Sequence, residues 1–296
     1  MEFGYLDNIE HIDWTLPAND EKNSLRLTNK KPLQLYLGSP AWGVKEWIGK
    51  LYPPKTPTDQ FLFYYSRNFS AIELNTTHYR IPNKKTALNW RKQVPANFHF
   101  CPKVTKEISH SEGGMRSTEL LKSWLHFIET LGDNLGPCFI QFHEHFSYNE
   151  KETLFRFLQN WPSEFPLTIE LRHPSWFKGH QILPALSDYL HHRKMGLVIT
   201  DVAGRRDVLH STLSSSWSMI RLIGNNLHPS DRQRLGYWAQ RIKDWEQMGL
   251  EKCYLILHQP DDLLTIEFAQ MCSGVLRENH FENVPAFTYT VEQLSF

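Results

Sequence analysis

Short apolar runs alternate with longer segments of mixed polarity along most of the chain, starting at Leu33. The runs are rich in Val, Ile, Leu and Phe, and the segments between them carry apolar residues at helical spacing, a pattern typical of βα units around a parallel sheet. Eight runs follow one another: LQLYLGSPAW from Leu33, AIELNTTHY from Ala71, FHFCPKV from Phe98, PCFIQFH from Pro137, LTIELRH from Leu167, GLVITDVAG from Gly196, WSMIRLIG from Trp217 and CYLILHQ from Cys253. Their number and order predict an α/β fold, a single closed (β/α)8 barrel of the TIM type.

The connecting segments agree with this interpretation. Several begin with Ser, Asp or Asn at a predicted N-cap, and two end at Gly132 and Gly249, where a helix would stop. The sixth connection, between residues 204 and 216, is predicted to be irregular or to carry only a short helix. Residues 1–32 are polar and weakly periodic, and we expect an N-terminal extension packed on the barrel, with Trp14 and Leu16 as anchors. Residues 33–296 form the predicted barrel domain.

Polar residues stand near the carboxyl end of almost every run. The set comprises Glu73, Asn75, Lys103, Gln141, Glu170, Arg172, Asp201, Arg221, His258 and Gln259. Buried parallel strands are normally almost continuously apolar, and a buried charge needs a partner. In a barrel the carboxyl ends of the strands form one rim, which is where barrel enzymes place their active sites. The sequence therefore predicts a polar pocket at this rim.

Composition narrows the class of partner. Lys and Arg together equal Asp and Glu at 32 each, so the chain lacks the charge excess of a protein that binds nucleic acid non-specifically. No apolar run reaches the ~18 residues that would span a membrane, and no signal-peptide pattern opens the chain. The four cysteines show no CxxC spacing, which favours a reducing compartment. We expect a cytoplasmic protein with a small-molecule ligand, no nucleic-acid or membrane partner and no cofactor; the oligomeric state stays open.

An ordered string of motifs carries a resemblance to a known family. YLGSPAW, LYPPK, IELNTTHYRIP, FCPKVTKEISH, IELRHPSWF and VITDVAGR, between Leu35 and about Leu276, closely resemble the YecE-like family, a domain of unknown function. The resemblance implies a barrel and a rim lined by the residues named above, and it supplies no activity. The chain departs from the commoner pattern at SPAW, where many relatives read TSGW, and at His258–Gln259, where many read Asn–Asn.

The leading hypothesis is a metal-independent enzyme that uses acid–base chemistry on a small polar, anionic metabolite bearing phosphate or carboxylate. Glu170 is the first choice for the general acid or base, and Lys103, Glu73 and Asp201 complete the predicted catalytic set. The predicted substrate-binding residues are Trp42, Asn75, Tyr79, Gln141, Arg172, His173, Arg221 and His258. The backbone after the seventh run, at Gly224–Asn226, is a further candidate for phosphate contacts. This hypothesis fails if the rim side chains are sealed from solvent in a closed ion-pair network.

Two alternatives from other classes stay open. His143 and His145 follow the fourth run and could chelate a metal together, which would make the protein a metal-dependent hydrolase or isomerase acting on a phosphoester or sugar. No compact ligand motif supports a committed metal site. The other alternative is a non-catalytic ligand-binding protein. Ordinary glycoside hydrolysis is disfavoured, because Gln141 and Arg221 occupy the strand ends where the large group of barrel glycosidases carries its two carboxylates.

Overall fold

A computed structural model describes residues 4–27, 31–282, 284, 285 and 287. The predicted eight-stranded barrel is confirmed, with the strands parallel and in the order β3-β2-β1-β10-β9-β8-β5-β4. Its strands are β1 Gln34–Ser39, β2 Ala71–Leu74, β3 His99–Pro102, β4 Cys138–Gln141, β5 Leu167–Glu170, β8 Gly196–Asp201, β9 Trp217–Ile223 and β10 Lys252–His258. β6 Phe177–Lys178 and β7 Gln181–Ile182 form a small antiparallel hairpin.

Two backbone hydrogen bonds close the sheet between β3 and β4. The amide of Gly136 donates to the Phe100 carbonyl at 2.7 Å, and the amide of Val104 donates to the Phe139 carbonyl at 2.9 Å. The side chain of each of the four cysteines is buried and unbonded to another sulfur, as expected for small apolar residues. Closure leaves no free edge between the first and last strands of the order, so all eight carboxyl ends share one rim.

Helices cover the outside of the barrel. The α-helices are α1 Asn23–Arg26, α2 Phe61–Asn68, α3 Thr76–Tyr79, α4 Lys84–Gln93, α5 Lys106–Ser109, α6 Thr118–Thr130, α7 Lys151–Asn160, α8 Pro184–His192, α9 Pro229–Met248 and α10 Thr265–Glu278. Ser117 caps α6 by accepting a hydrogen bond from the Leu120 amide. Gly249 ends α9 with a φ of 113°, which residues other than glycine rarely adopt. No helix among the described residues is long and apolar enough to cross a membrane.

The connection between β8 and β9 has no α-helix, as its sequence predicts; it contains the 3-10 helix Ala203–Val208 and then an extended stretch. The N-terminal segment lies against that stretch. Asn23 bonds to the Ser211 carbonyl and the Leu213 amide, and Thr212 donates to Asp20 at 2.8 Å. Side chains of α8 and α9 also contact the segment, at Asp188, Arg241 and Trp245. The N-terminal segment thus occupies the place of the missing helix between α8 and α9.

Candidate functional site

The alternation of side chains along each strand builds the site in layers. A closed apolar cluster fills the barrel interior with Ala71, Cys101, Phe139, Val198, Met219, Tyr254 and Ile256. Two residues further along six of these strands, on the same face, stand Glu73, Lys103, Gln141, Thr200, Arg221 and His258, and β5 adds Glu170. The apolar layer therefore supports a polar layer at the carboxyl end of the barrel.

Arg221 is the centre of the polar layer. Its guanidinium holds both oxygens of Glu73, with Nε to Oε2 at 2.8 Å and Nη2 to Oε1 at 3.0 Å. Its third nitrogen, Nη1, donates to Oε2 of Glu170 at 3.0 Å. Each of the three side chains is 2% exposed or less, so this is a buried ion triad whose members satisfy one another.

The triad continues outward into neutral and cationic groups. Glu170 also accepts from Arg172 Nε and Gln141 Nε2, both at 2.8 Å. Lys103 Nζ donates to the Gln141 Oε1 atom at 2.7 Å, and Asn75 donates to Glu73 at 2.9 Å. We call the eight connected side chains the rim network: Glu73, Asn75, Lys103, Gln141, Glu170, Arg172, Arg221 and His258. The structure brings together eight of the twelve predicted site residues in this one network.

The rim network is sealed only on its inner side. Glu73, Gln141, Glu170, Arg221 and His258 are buried. Asn75 and Lys103 are partly exposed, and 12% of the Arg172 side chain is exposed. The outer members can therefore meet a ligand, whereas the inner members hold them in position. Glu170, the predicted general acid or base, lies on the sealed inner side, whereas Lys103 lies on the open side.

Burial and neighbouring charges shift the pKa values of the two carboxylates and of the lysine in the rim network. Burial acts to raise the pKa of Glu170, but Arg172, Arg221 and the hydrogen bond from Gln141 outweigh burial and lower it to about 2. The same balance, with Arg221 and His258 as partners, places the pKa of Glu73 well below its usual range. Burial and the charge of Arg221 lower the pKa of Lys103 to about 8, against the opposing effect of the carboxylates. Lys103 is thus a rim group that titrates near neutral pH.

His258 contacts the rim network, and Gln259 contacts the loop after β9. His258 Nε2 lies 3.2 Å from Glu73 Oε2, and burial lowers the pKa of this imidazole. Gln259 Oε1 accepts from the Asn226 amide at 2.7 Å, while the Asp231 carboxylate accepts from the Asn225 amide at 2.9 Å. The amides of Asn225 and Asn226 therefore already have internal acceptors, and this loop offers less to a phosphate than its position in the barrel suggests.

Asp201 lies outside the rim network. Thr200, one residue earlier, shares the inward face with Val198, so Asp201 points outward to the helices. It is fully buried and accepts from Trp238 Nε1 at 2.7 Å, and it pairs with Arg234 at 2.9 Å and with Arg206. Strand alternation could have indicated this orientation from the sequence, and also that Thr200 belongs to the polar layer.

The predicted aromatic and histidine walls are spread around the mouth. Trp42, partly buried, meets Trp90 of α4 edge to face at 5.7 Å. Tyr79 is 69% exposed on α3, with Lys106 Nζ 5.6 Å from its ring centroid. His173 caps the 3-10 helix Pro174–Trp176 by accepting from the Ser175 amide at 3.1 Å. Of these, Tyr79 is the most available to a ligand.

Sequence reasoning missed two histidines near the mouth. His78 on α3 and His110 after α5 join His143 in an edge-to-face series, with centroid distances of 5.1 Å and 5.7 Å. His78 and His110 each follow a strand, within the motifs IELNTTHY and KEISH. This position could have identified both as residues of the barrel mouth. His145 lies 6.1 Å from His143 and is 85% exposed. Among the residues that the structure covers, no three His, Cys, Asp or Glu side chains are grouped to hold a metal ion.

Fold and site together define a (β/α)8 barrel with a charged, hydrogen-bonded rim at the carboxyl ends of its strands. A family model described as "Protein of unknown function DUF72" matches residues 36–286, and the chain belongs to this family. The UPF0759 protein YecE of Escherichia coli (strain K12) is 29% identical over 245 residues, covering 77% of this chain and 87% of that protein. The resemblance to the YecE-like family is thereby confirmed.

Solved structures of the same family share the fold. A DUF72 family protein from Enterococcus faecalis superposes with a TM-score of 0.69 at 19% identity, covering 82% of this chain and 96% of the other. A DUF72 family protein from Thermotoga maritima gives a TM-score of 0.63 at 20% identity, covering 80% of this chain and 98% of the other. At this level of identity the likeness concerns the fold.

Proposed function

We propose that this protein is an enzyme that binds a small anionic metabolite at the barrel mouth and uses Lys103 as its proton-transfer group. The observation that carries the proposal is the position of Lys103 in the rim network. Its only hydrogen-bond acceptor among the described side chains is the neutral Gln141, and no described carboxylate lies within 4.0 Å of its Nζ atom. A partly buried ammonium without a counter-ion is unfavourable, and a ligand anion supplies that counter-ion.

The charge of the rim network agrees with an anionic ligand. Lys103, Arg172 and Arg221 contribute three positive charges, and Glu73 and Glu170 contribute two negative charges, so one positive charge is in excess. That excess lies at the partly exposed side, since Arg221 is neutralised inside by the two carboxylates. Arg172, at the opening, adds a planar donor suited to carboxylate or phosphate.

The low pKa of Glu170 assigns it a supporting part. With a pKa of about 2 it holds no proton to donate at neutral pH, and both of its oxygens accept from Gln141, Arg172 and Arg221. Lys103, with a pKa of about 8, exists in both forms near neutral pH. With the anion bound Lys103 is protonated, and it acts as a general acid that donates a proton from Nζ to the substrate while Arg172 holds the acid group of the substrate.

The carboxylate oxygens of Glu73 and Glu170 already accept hydrogen bonds, and this disfavours a bound metal ion. Each oxygen of Glu73 and Glu170 already accepts from an arginine, a side-chain amide or an imidazole. A divalent ion would have to displace those donors, and the neighbouring cations oppose its approach. Glu73, Gln141 and Arg221 therefore orient the outer residues, and Asp201 is left out of the proposed mechanism.

A thermal-shift screen tests the proposal. Purified full chain is combined with phosphorylated sugars, organic acids, nucleotides and divalent metals, in wild type, in Lys103→Met and in the surface control Lys122→Met, whose side chain is 73% exposed. A ligand at ~100 times its Kd adds about 2.7 kcal/mol of unfolding free energy. We expect stabilisation by an anionic metabolite in wild type and Lys122→Met and its loss in Lys103→Met, followed by turnover of that metabolite. Stabilisation that survives Lys103→Met undiminished, or that comes from metals alone, contradicts the proposal.

A further inference from the structure

A cavity of about 380 Å³ opens among the loops that follow β3 and β4. Its size is within the range of small-molecule sites. The lining includes His110, Ser111, Glu112, Arg116, His143 and Glu150. His78 Nδ1 lies 2.9 Å from the carbonyl of Val104, the residue after Lys103, and the His78 ring packs against His110 with their centroids 5.1 Å apart, so the cavity lies close to the Lys103 side of the rim network.

Two imidazoles of this region, those of His78 and His110, are neutral at physiological pH. Burial is the first cause that lowers the pKa of His110, to about 4, and His78 and His143 add to it. Burial also lowers the pKa of His78. A neutral imidazole carries one N–H donor and one acceptor nitrogen, which matches the hydroxyl group, itself a donor and an acceptor.

His143 provides a second, independent sign of a polar ligand. Its Nδ1 atom is buried and has no hydrogen-bond partner among the residues that the structure describes. An unpaired buried polar atom is unfavourable, and because His143 lines the cavity, a rotation of its ring would present this atom to a ligand hydroxyl. An apolar ligand would leave the atom unpaired.

The charges in the cavity argue against a second acid group on the ligand. Arg116 is the only arginine or lysine among the lining residues, whereas Glu112 and Glu150 are both present. A second anion placed here would meet net negative charge. The part of a ligand that best fits the cavity is therefore uncharged and rich in hydroxyl groups.

We infer that the ligand is a polyhydroxylated acid, a sugar phosphate or a sugar acid, with its acid group at Lys103 and Arg172 and its hydroxyls in the histidine-lined cavity. The inference rests on the proposed function, because it assumes that the acid group binds at Lys103. His110 and His143 are assigned as specificity-determining residues that recognise hydroxyl groups.

Calorimetric titration of the full chain with matched probes tests the inference. Gluconate is compared with hexanoate, which has the same number of carbons and the same acid group, and glucose 6-phosphate is compared with inorganic phosphate. We expect at least one hydroxylated probe to bind about tenfold or more tightly than its unhydroxylated partner. In His143→Phe that advantage disappears while the affinity for the unhydroxylated partner is unchanged. The control His126→Phe, whose side chain is 71% exposed on α6, keeps the advantage.

Thermal unfolding separates recognition from a structural role. Phe keeps the ring packing of His143 and removes its unpaired nitrogen, so His143→Phe should not lower the melting temperature even though it abolishes the hydroxyl preference. Equal affinity for each matched pair, or a preference that survives His143→Phe, overturns the inference and leaves the proposed function standing if binding is still lost in Lys103→Met. Acid binding that is insensitive to Lys103→Met overturns both.

Discussion

At the scale of single residues, the central feature is a buried arginine shared by two carboxylates. Arg221 is 1% exposed and satisfies Glu73 and Glu170 at once. Such a triad is costly to desolvate, and its members depend on one another more than they stabilise the fold in isolation. In this barrel the triad positions other side chains, because Glu170 orients Arg172 and, through Gln141, Lys103.

Replacing Arg221 by Met should therefore destabilise the protein severely. The change leaves two carboxylates buried without their cation, and breaking a buried pair in this way typically costs about 3–5 kcal/mol. Chemical denaturation measures the loss. The control Arg232→Met breaks an exposed pair with Glu278, whose side chains are 55% and 58% exposed, and should cost less than ~1 kcal/mol. A loss in Arg221→Met no larger than in this control would show that the triad is not structurally important.

At the scale of elements, the N-terminal segment replaces a helix of the barrel. Trp14, 8% exposed, lies under two arginines of the barrel, with the Arg234 and Arg206 guanidinium carbons 4.7 Å and 5.6 Å from its ring centroid. Arg206 also donates to the Thr15 carbonyl at 2.9 Å, and Gly204 to the Gly4 carbonyl at 2.8 Å. Since Arg205, in the same loop, donates to the Arg172 carbonyl at 2.7 Å, the segment supports the loop beside the rim network.

Trp14→Ala tests this contribution. Truncating a buried Trp costs about 3–5 kcal/mol, and here it also removes the aromatic face from the buried guanidinium of Arg234 and the partly exposed one of Arg206. Equilibrium unfolding should show a loss of that order, against less than ~0.5 kcal/mol for Leu25→Ala, whose residue is 76% exposed in the same segment. If the two variants unfold alike, the segment is not an integral part of the barrel.

The elements that the sequence predicted best are the eight strands and the irregular connection after β8. Up to the polar layer at their carboxyl ends, the strands of this barrel are largely apolar on both faces, and these apolar runs are visible in the sequence. The four-residue helices α3 and α5 and the hairpin of β6 and β7 were missed, because elements so short show no periodicity. The histidines of α3 and of the turn after α5 were missed with them.

At the scale of the whole molecule, closure of the barrel makes the location of the site predictable. Polar residues at the ends of successive strands must meet at one rim once the strands close. Which of these residues are exposed to solvent could not be predicted, because exposure depends on side-chain packing. Lys103 and Glu170 both stand at strand ends in the sequence, yet only Lys103 is partly exposed. Asp201 points outward because it lies one residue after the inward-facing Thr200, and strand alternation makes this direction predictable.

Lysine side-chain NMR, with 13Cε-labelled lysine and a pH titration, tests the central claim most directly. One lysine should titrate near pH 8, its signal should be absent in Lys103→Met, and an anionic ligand should raise its pKa. Because the complex then favours the protonated lysine, affinity for the anion should fall as the pH rises above about 8. If every lysine titrates near the unperturbed value of about 10.4, or if a bound anion leaves the Lys103 signal unchanged, Lys103 is not the ligand-facing, proton-transferring group of this barrel.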